Sequence, residues 1–342
     1  MQNSSIWRIT LDTNPEDCNF HCIMCEEHSL FSDYISKKLN GKRRRMPKEW
    51  LEPIFEQAQK LGVKEIIPST MGEPLIYRHF DTIVELCYKY NLKMNLTTNG
   101  SFPAVSGRTV EEWAKWIVPI TTDVKFSWNG ATKETDEKVM LGKDFEKTLQ
   151  NVKTFIAIRD EHHQKTGYYC RVTFQLTFMQ NNMHELADIV RLAAELGVDR
   201  VKGHHLWAHF EEIQQLSMKA SPESIAQWNQ YVEQAYQARE KFLKPNGQKV
   251  LLEQIFPLQP DEKQEVPEHY ECPFLNKELW ISAEGIISPC CAPDEQRKTL
   301  GYFGNIQETT LEAVLQSETY QNLLKNYKKI DLCKTCNMRK PK

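Results

Sequence analysis

The sequence has no uninterrupted apolar run approaching the ~18–20 residues that a membrane-spanning helix needs, which argues against a bilayer span and a membrane partner. Nor does it carry an excess of one charge: 43 Lys plus Arg stand against 46 Asp plus Glu, a net charge of −3. Without a global positive field, nothing steers the chain toward nucleic acid. The opening Met1-Gln-Asn-Ser-Ser-Ile-Trp-Arg8 lacks the basic and then apolar segments of a secretory signal, which points to the cytoplasm. Internal repeats and low-complexity tracts are missing. With 40% apolar and 26% charged residues, the composition suits a globule with an ample core and disfavours disorder. A length of 342 residues suggests one large domain and a smaller one.

What the sequence does have is ten cysteines, unevenly spread and too few for a disulfide scaffold in a chain this long. Cys18, Cys22 and Cys25 cluster near the start; Cys272, Cys290, Cys291, Cys333 and Cys336 crowd the end. Cys87, in the apolar helical run 83–88, and Cys170, before Arg171 on a core strand, read as buried thiols. In a reducing compartment, clustered cysteines read as metal ligands before disulfides.

From residue 6 to about 205, short β-rich runs (7–11, 65–68, 94–97, 124–127, 172–176 and 200–202) alternate with helical patterns near 47–61, 77–90, 108–116, 144–159 and 183–196. The last helix places Leu186, Ile189, Val190, Ala193 and Leu196 on one face, ends at Gly197, and has Asn181 or Asn182 as its expected cap. Such alternation implies parallel pairing with right-handed crossovers, hence a doubly wound sheet or a barrel, complete or partial. After His209 the alternation stops. Ser221-Pro222-Glu223 opens a helix that runs to about Phe242. The polar, proline-punctuated stretch 257–268 reads as a domain junction. The expected partition is 1–210, a helical linker over 211–271, and 272–342. The basic run Lys42-Arg-Arg-Arg45 reads as a solvated loop tip or as a contact for an anionic substrate or protein.

Cys18-Asn-Phe-His-Cys22-Ile-Met-Cys25 places three thiols within eight residues, directly after the first expected strand. Structural zinc wants four ligands, which only His21 or His28 could complete nearby; a cubane iron–sulfur cluster on three protein ligands leaves one iron open. This C-x3-C-x2-C triplet resembles the defining motif of the radical S-adenosylmethionine superfamily. The resemblance implies a partial (β/α)6 TIM-like barrel, an α/β fold with its site at the C-terminal strand ends. It also implies a 4Fe–4S cluster whose open iron is chelated by S-adenosylmethionine, which the reduced cluster cleaves to a 5′-deoxyadenosyl radical. The reducing electron would come from flavodoxin or ferredoxin.

Further matches fall at successive strand ends. Met71-Gly72-Glu73-Pro74 resembles the family's Gly-Gly-Glu-Pro segment, with Met in place of the first Gly; Gly72, Glu73 and Pro74 would then hold the methionine amine. Thr97-Thr-Asn99-Gly100 resembles its Thr-Asn-Gly, and Phe126-Ser127-Trp-Asn-Gly130 its fourth-strand ending, with Ser127 reaching the ribose. By the same resemblance, Arg171 would pair with the methionine carboxylate. Met24 stands where the family commonly has an aromatic residue, and would pack on adenine.

In the tail, Cys272 is followed by twelve residues, Gly285, four residues and Cys290, and Cys333-Lys-Thr-Cys336 completes the set. Residues 279–288 read as a β-hairpin turning at Glu284-Gly285, which brings Cys272 and Cys290 into range. Four thiolates make a closed shell, read as a zinc ribbon or as an iron–sulfur site. The spacing resembles the SPASM and twitch auxiliary-cluster domains, implying a second 4Fe–4S cluster on Cys272, Cys290, Cys333 and Cys336 in a small α+β domain. The chain ends soon after Cys336, which fits the one-cluster twitch form. Cys291 is surplus: an inert thiol, an alternative ligand, or a hydrogen-atom donor as in radical epimerases of the superfamily.

The segment Lys202-Gly-His204-His205-Leu-Trp207-Ala-His209 is dense in chemistry, its histidines read either as hydrogen-bonded structural groups or as substrate contacts. The expected function is abstraction of hydrogen from a small polar substrate, by dehydrogenation or epimerisation. Modification of a ribosomally made peptide and a non-enzymatic metal-binding module are the alternatives. A start almost directly at the first strand leaves no room ahead of the barrel for a leader-binding domain.

Overall fold

Along the first six strands, every second residue is apolar and fully buried: Ile9 and Leu11, Ile66, Met94 and Leu96, Val124 and Phe126, Val172 and Phe174, Val201. The residues between them are polar, including Arg8, Thr10, Glu65, Asn95, Asp123, Lys125, Thr173 and Arg200. A parallel sheet covered by helices on both faces would be apolar throughout; this alternation means that only one face packs on helices. A computed structural model describes residues 6–69, 71–103, 107–259, 266–336 and 338–341.

The strands are β1 (Arg8–Leu11), β2 (Glu65–Ile67), β3 (Lys93–Thr98), β4 (Thr121–Ser127), β5 (Arg171–Phe178) and β6 (Arg200–His205), followed by β7 (Leu251–Glu253), β8 (Glu278–Ile281) and β9 (Ile287–Ser288). Their order in one sheet is β9-β8-β1-β2-β3-β4-β5-β6-β7, all pairs parallel except β8 with β9. From β1 to β7 spatial order follows chain order, without the reversal that marks a doubly wound sheet. The sheet is therefore that of a partial barrel, its apolar face covered by helices that include α1 (Lys48–Lys60), α2 (Phe80–Tyr90), α3 (Val110–Ile117), α5 (Phe145–Thr166), α6 (Leu186–Leu196) and α7 (Pro222–Lys241), while α4 (Lys133–Val139) packs Val139 into a separate small apolar cluster. Among the described residues, no helix is long and apolar enough to cross a membrane.

Three strands extend the sheet beyond the six of the barrel pattern. β7 comes from the stretch read as helical linker. The expected hairpin 279–288 forms as β8 and β9, with Gly285 at φ +83°, and β8 pairs in parallel register with β1, Arg8 opposite Glu278. Asn182 is not a cap: its Oδ1 accepts from the Met179 N–H at 3.0 Å and its Nδ2 donates to the Thr177 carbonyl at 3.0 Å, closing the turn after β5. Ser221 does cap α7, accepting from the Ser224 N–H at 3.2 Å.

The polar face closes at the N-terminal ends of the strands through buried ion pairs. Arg8 meets Glu65 at 2.5 Å and Glu278 at 3.5 Å, and Arg200 bridges Asp123 and, at 2.7 Å, Glu253. The opposite, C-terminal end carries the cysteine loop.

Candidate functional site

The loop after β1 is fixed before any group enters it. A short antiparallel ribbon pairs Cys22 with Met140 and His21 with Leu141, and the Ile23 N–H donates to the Val139 carbonyl at 3.0 Å. The Cys25 N–H donates back to the Cys22 carbonyl at 3.0 Å, so the backbone turns and gathers the three thiols. All three are half-buried and close enough to repel one another as thiolates. Burial pushes Cys18 up to about 12, Cys25 up to about 11, and Cys22 well above a free thiol. Thiolates here need a metal's positive charge, and binding one releases protons. Each nearby histidine commits one ring nitrogen to a backbone carbonyl. His28 Nε2 faces the Pro15 carbonyl at 2.8 Å, and His21 Nδ1 faces the His28 carbonyl at 3.0 Å. Three neighbouring thiols on one short loop suit a cluster with one open corner; among the described residues no three cysteine, histidine or acidic side chains already stand at metal-binding distance of one another.

Gly72 and Glu73 lock the β2 end against this loop. Gly72 has φ +70°, and a Cβ there would stand 2.3 Å from the Asn14 carbonyl oxygen and 2.8 Å from that of Asp17. The Glu73 N–H donates to the Asp17 carbonyl at 2.8 Å. The Glu73 carboxylate is 1% exposed and fully engaged: it accepts from the Asn99 N–H at 2.7 Å, Thr98 Oγ1 at 2.8 Å and the Leu75 N–H at 3.1 Å. Burial raises it to about 7. Glu73 therefore ties three strand ends together as a positioning residue, and Pro74 is buried behind it. Asn99 Nδ2 donates to Asn19 Oδ1 at 2.8 Å and lies 4.0 Å from Cys18 Sγ.

Ser127 stands at the end of β4, on the same rim. Met24 packs at the edge of a small apolar cluster of Phe20, Val139, Met140, Met179, Leu206 and Ile213 that covers the strand ends. Arg171 is not brought to the site. It opens β5 at the end opposite the cysteine loop, with Nε 3.8 Å from Asp123, because strand direction puts the first residue of β5 on the ion-paired floor.

Two residues without a local signal belong near the loop. Lys143 and Asp136 form a fully buried ion pair at 2.5 Å; Lys143 lies 4.0 Å from the Trp128 ring centroid and within electrostatic reach of Cys22. In sequence both are ordinary charged residues around a short helix. The histidine segment divides: His209 lies 3.9 Å from Glu26, while His205 turns to the helical side, its ring edge-on to Phe178 and Trp228. Both His205 nitrogens are buried without a hydrogen-bond partner, contrary to the hydrogen-bonded role read for it, and burial drops it to about 3.

The carboxy-terminal thiols are neighbours as well. Cys333 lies within electrostatic reach of Cys290, Cys336 and Cys272. Cys291 donates to Cys290, which pulls Cys290 down and drives Cys291 up. The buried Arg339 clamps the segments, donating to carbonyls of Pro267 at 2.9 Å, Glu268 at 3.1 Å, Tyr270 at 2.8 Å and Cys333 at 3.2 Å. As part of the basic tail Met-Arg-Lys-Pro-Lys it gives no sequence hint of this. A cavity of ≈ 250 Å³ is lined by Glu26, which follows Cys25 in the chain, by Cys291, which follows Cys290, and by Asp12, Met71, Trp280 and Arg297 among others.

Residues 272–337 match the family of the SPASM iron–sulfur cluster-binding domain, and residues 15–193 match the radical SAM superfamily. Curated relatives include the probable GTP 3′,8-cyclases of Pyrococcus abyssi, 31% identical over 86 residues (25% of each chain), and of Thermococcus kodakarensis, 23% identical over 184 residues (53% of this chain, 52% of that one). These matches span between a quarter and about half of the relatives' length. Similar solved structures include Streptococcus suis SuiB bound to S-adenosylmethionine (TM-score 0.66, 18% identity, 97% of this chain and 72% of that one). Another is anSMEcpe with bound AdoMet (0.65, 18%, 97% and 85%); at such identity they bear on the fold alone. The superfamily match takes in just over half of the 342 residues, from the cysteine loop through α6, and so the chain belongs to the radical S-adenosylmethionine superfamily, an enzyme whose cofactors are S-adenosylmethionine, the 4Fe–4S cluster that binds it and an auxiliary cluster.

Proposed function

We propose that Cys18, Cys22 and Cys25 hold the first cluster, that Cys272, Cys290, Cys333 and Cys336 hold the second, and that a substrate seated between them loses a hydrogen atom. When bound and reduced, the first cluster with S-adenosylmethionine supplies a carbon radical that takes hydrogen from unactivated C–H bonds. The protein's own part is placement. Gly72 admits the Asn14–Asp17 backbone, Glu73 and Asn99 hold the rim, and Ser127 and Met24 stand where ribose and adenine would lie. Cys291 is left over from the four tail ligands and lines the cavity, where it can return hydrogen to a substrate radical.

The observation that supports this reading is the cavity of ≈ 250 Å³ walled by residues next to both thiol groups. Its size suits a small polar molecule, and acceptance of an electron by the auxiliary cluster would make the outcome a dehydrogenation, its absence an epimerisation. A second reading is a peptide offering one side chain: a SuiB structure contains the precursor peptide SuiA, and an anSMEcpe structure the Kp18Cys peptide. Anaerobic reconstitution tests the assignment. Roughly eight irons per chain are expected for two 4Fe–4S clusters, with dithionite-dependent release of 5′-deoxyadenosine. Incubating the enzyme with deuterated small-metabolite and peptide fractions should place deuterium in 5′-deoxyadenosine from the former; label from the peptide fraction alone favours the second reading. Zinc in the tail, or no iron at the first site, overturns the proposal.

A further inference from the structure

The run Lys42–Arg45, left open between solvated loop and anion contact, is divided by the fold. Arg44 turns inward, its side chain 13% exposed, and meets Glu16 at 2.5 Å. Arg43 and Arg45 turn outward, their side chains 50% and 52% exposed, and both close on Asp17 at 3.1 and 2.5 Å. Burial pushes Asp17 up, but the Arg45 and Arg43 guanidiniums outweigh it and hold the carboxyl below its usual range. Beside them is a surface pocket of ≈ 490 Å³ lined by Arg43, Arg45, Lys48, Arg78 and His79, with Glu49 the acidic residue among its lining. Burial and the Arg78 and Lys48 charges depress His79 below an ordinary histidine. In a chain of net charge −3, four permanent cations against two carboxylates, Asp17 beneath Arg43 and Arg45 and Glu49 in the lining, leave a local positive excess.

Its position is informative. The pocket shares no lining residue with the cavity that Cys291 lines. Its Arg43 and Arg45 reach Asp17, which directly precedes Cys18 in the chain and whose backbone carbonyl accepts from the Glu73 N–H at 2.8 Å. A basic surface on the outer side of a cluster loop suits a macromolecule that must approach the first site without blocking the substrate. We propose that this face docks an acidic one-electron carrier protein, with Arg43, Arg45, Lys48 and Arg78 meeting its carboxylates and the electron entering beside Cys18. The inference rests on the proposed ligand role of Cys18, Cys22 and Cys25. One electron leaves the carrier's reduced cofactor and one is taken up at the site; no atom is transferred. Electron-transfer encounters are small and steered by charge, so salt governs their rate.

The test uses the reconstituted enzyme and Lys48→Glu/Arg78→Glu. Neither residue contacts the cysteine loop, and a Glu at the first turn of α1 is favourable to the helix. Formation of 5′-deoxyadenosine is followed with dithionite and, separately, with an enzymatically reduced flavodoxin. Dithionite-driven rates should stay within about twofold of the parent, while flavodoxin-driven rates fall at least about tenfold at low salt. That gap should close near 0.5 M salt, where the screening length is only about 4 Å. Direct titration of the chain with flavodoxin should show the same loss of affinity without turnover. Equal flavodoxin rates and affinity for variant and parent overturn the docking face. If dithionite-driven turnover of substrate falls while cleavage without substrate is retained, the face recognises an acidic substrate segment and the proposal is wrong. Failure of the parent itself with dithionite rejects the underlying cluster assignment instead.

Discussion

At the amino-terminal site three thiols lie within eight residues of one another, and the surrounding scaffold arrives from strand ends: Gly72 and Glu73 after β2, Asn99 after β3, Lys143 beyond α4. At the carboxy-terminal site the thiols come from positions 272, 290, 333 and 336, and what gathers them is a hairpin, the Tyr327 hydroxyl accepting from the Cys272 N–H at 3.4 Å, and a buried guanidinium bonded to carbonyls. The first site is thus a local motif on a rigid rim; the second is assembled across about sixty residues, with loop closure entropy to overcome. The comparison teaches that the first set of thiols should stay gathered without metal, whereas the second depends on its clamp and on the metal.

The largest expected effect separates the two sites outright. Cys22→Ala should abolish 5′-deoxyadenosine formation and remove about half of the roughly eight irons. Cys333→Ala with Cys336→Ala should remove a similar share yet leave cleavage of S-adenosylmethionine without substrate intact. Loss of cleavage in both variants would dissolve the distinction.

Next is Gly72→Ala. A left-handed backbone costs a non-glycine residue about 1–2 kcal/mol and overpacking about 1–3 kcal/mol more. Thermal denaturation of the variant should show a loss of about 2–5 kcal/mol together with weakened S-adenosylmethionine binding, while iron in the tail persists. A variant as stable as the parent would mean that the Asn14–Asp17 backbone gives way to a Cβ at little cost.

Arg339→Met leaves several buried carbonyls without a donor, at a cost of about 2–4 kcal/mol. The loss should be confined to the tail. Auxiliary iron should leach first under chelator, with S-adenosylmethionine cleavage unchanged; equal leaching from both sites would contradict the clamp.

The smallest effect is a slope. Burial raises the folded-state pKa of Glu73 from 4.5 to about 7, so the native chain holds a proton that the unfolded chain releases. Its contribution is fully present below about pH 4.5 and is lost as pH rises through about 7, at most about 3 kcal/mol in all. In metal-free protein, denaturant titrations of Glu73→Gln against the parent should differ by this slope; parallel curves would show that Glu73 is ionised in place.

Much of the fold was legible because strand and helix periods are local. Six strands and most of the helices between them lie within about three residues of their expected bounds, while α5 runs on to Thr166, past its expected end at 159, and α4 is not among the expected helices; Glu284-Gly285 marks the hairpin turn correctly. Errors arose where direction and partners matter. Arg171 was given to the cofactor site, but the start of a barrel strand lies at the floor, where Asp123 waits. Asn182 looked like a helix cap, yet it bonds backward to Thr177 and Met179. His205 was read as hydrogen-bonded, and its nitrogens face aromatic rings. Lys143, Asp136 and Arg339 carry no signal in the sequence, since a buried charge is recognised only when its partner or its acceptors are known.

The sequence by itself determined the class of chemistry, because C-x3-C-x2-C within one loop fixes the spacing of three thiols whatever the rest of the chain does. Tertiary structure alone decided which strand would border β1, which carboxylate would tie the rim, and which outward arginines would ring Asp17. Those outcomes depend on contacts between residues far apart in the chain, where the preference of each residue taken alone carries no information about its neighbour.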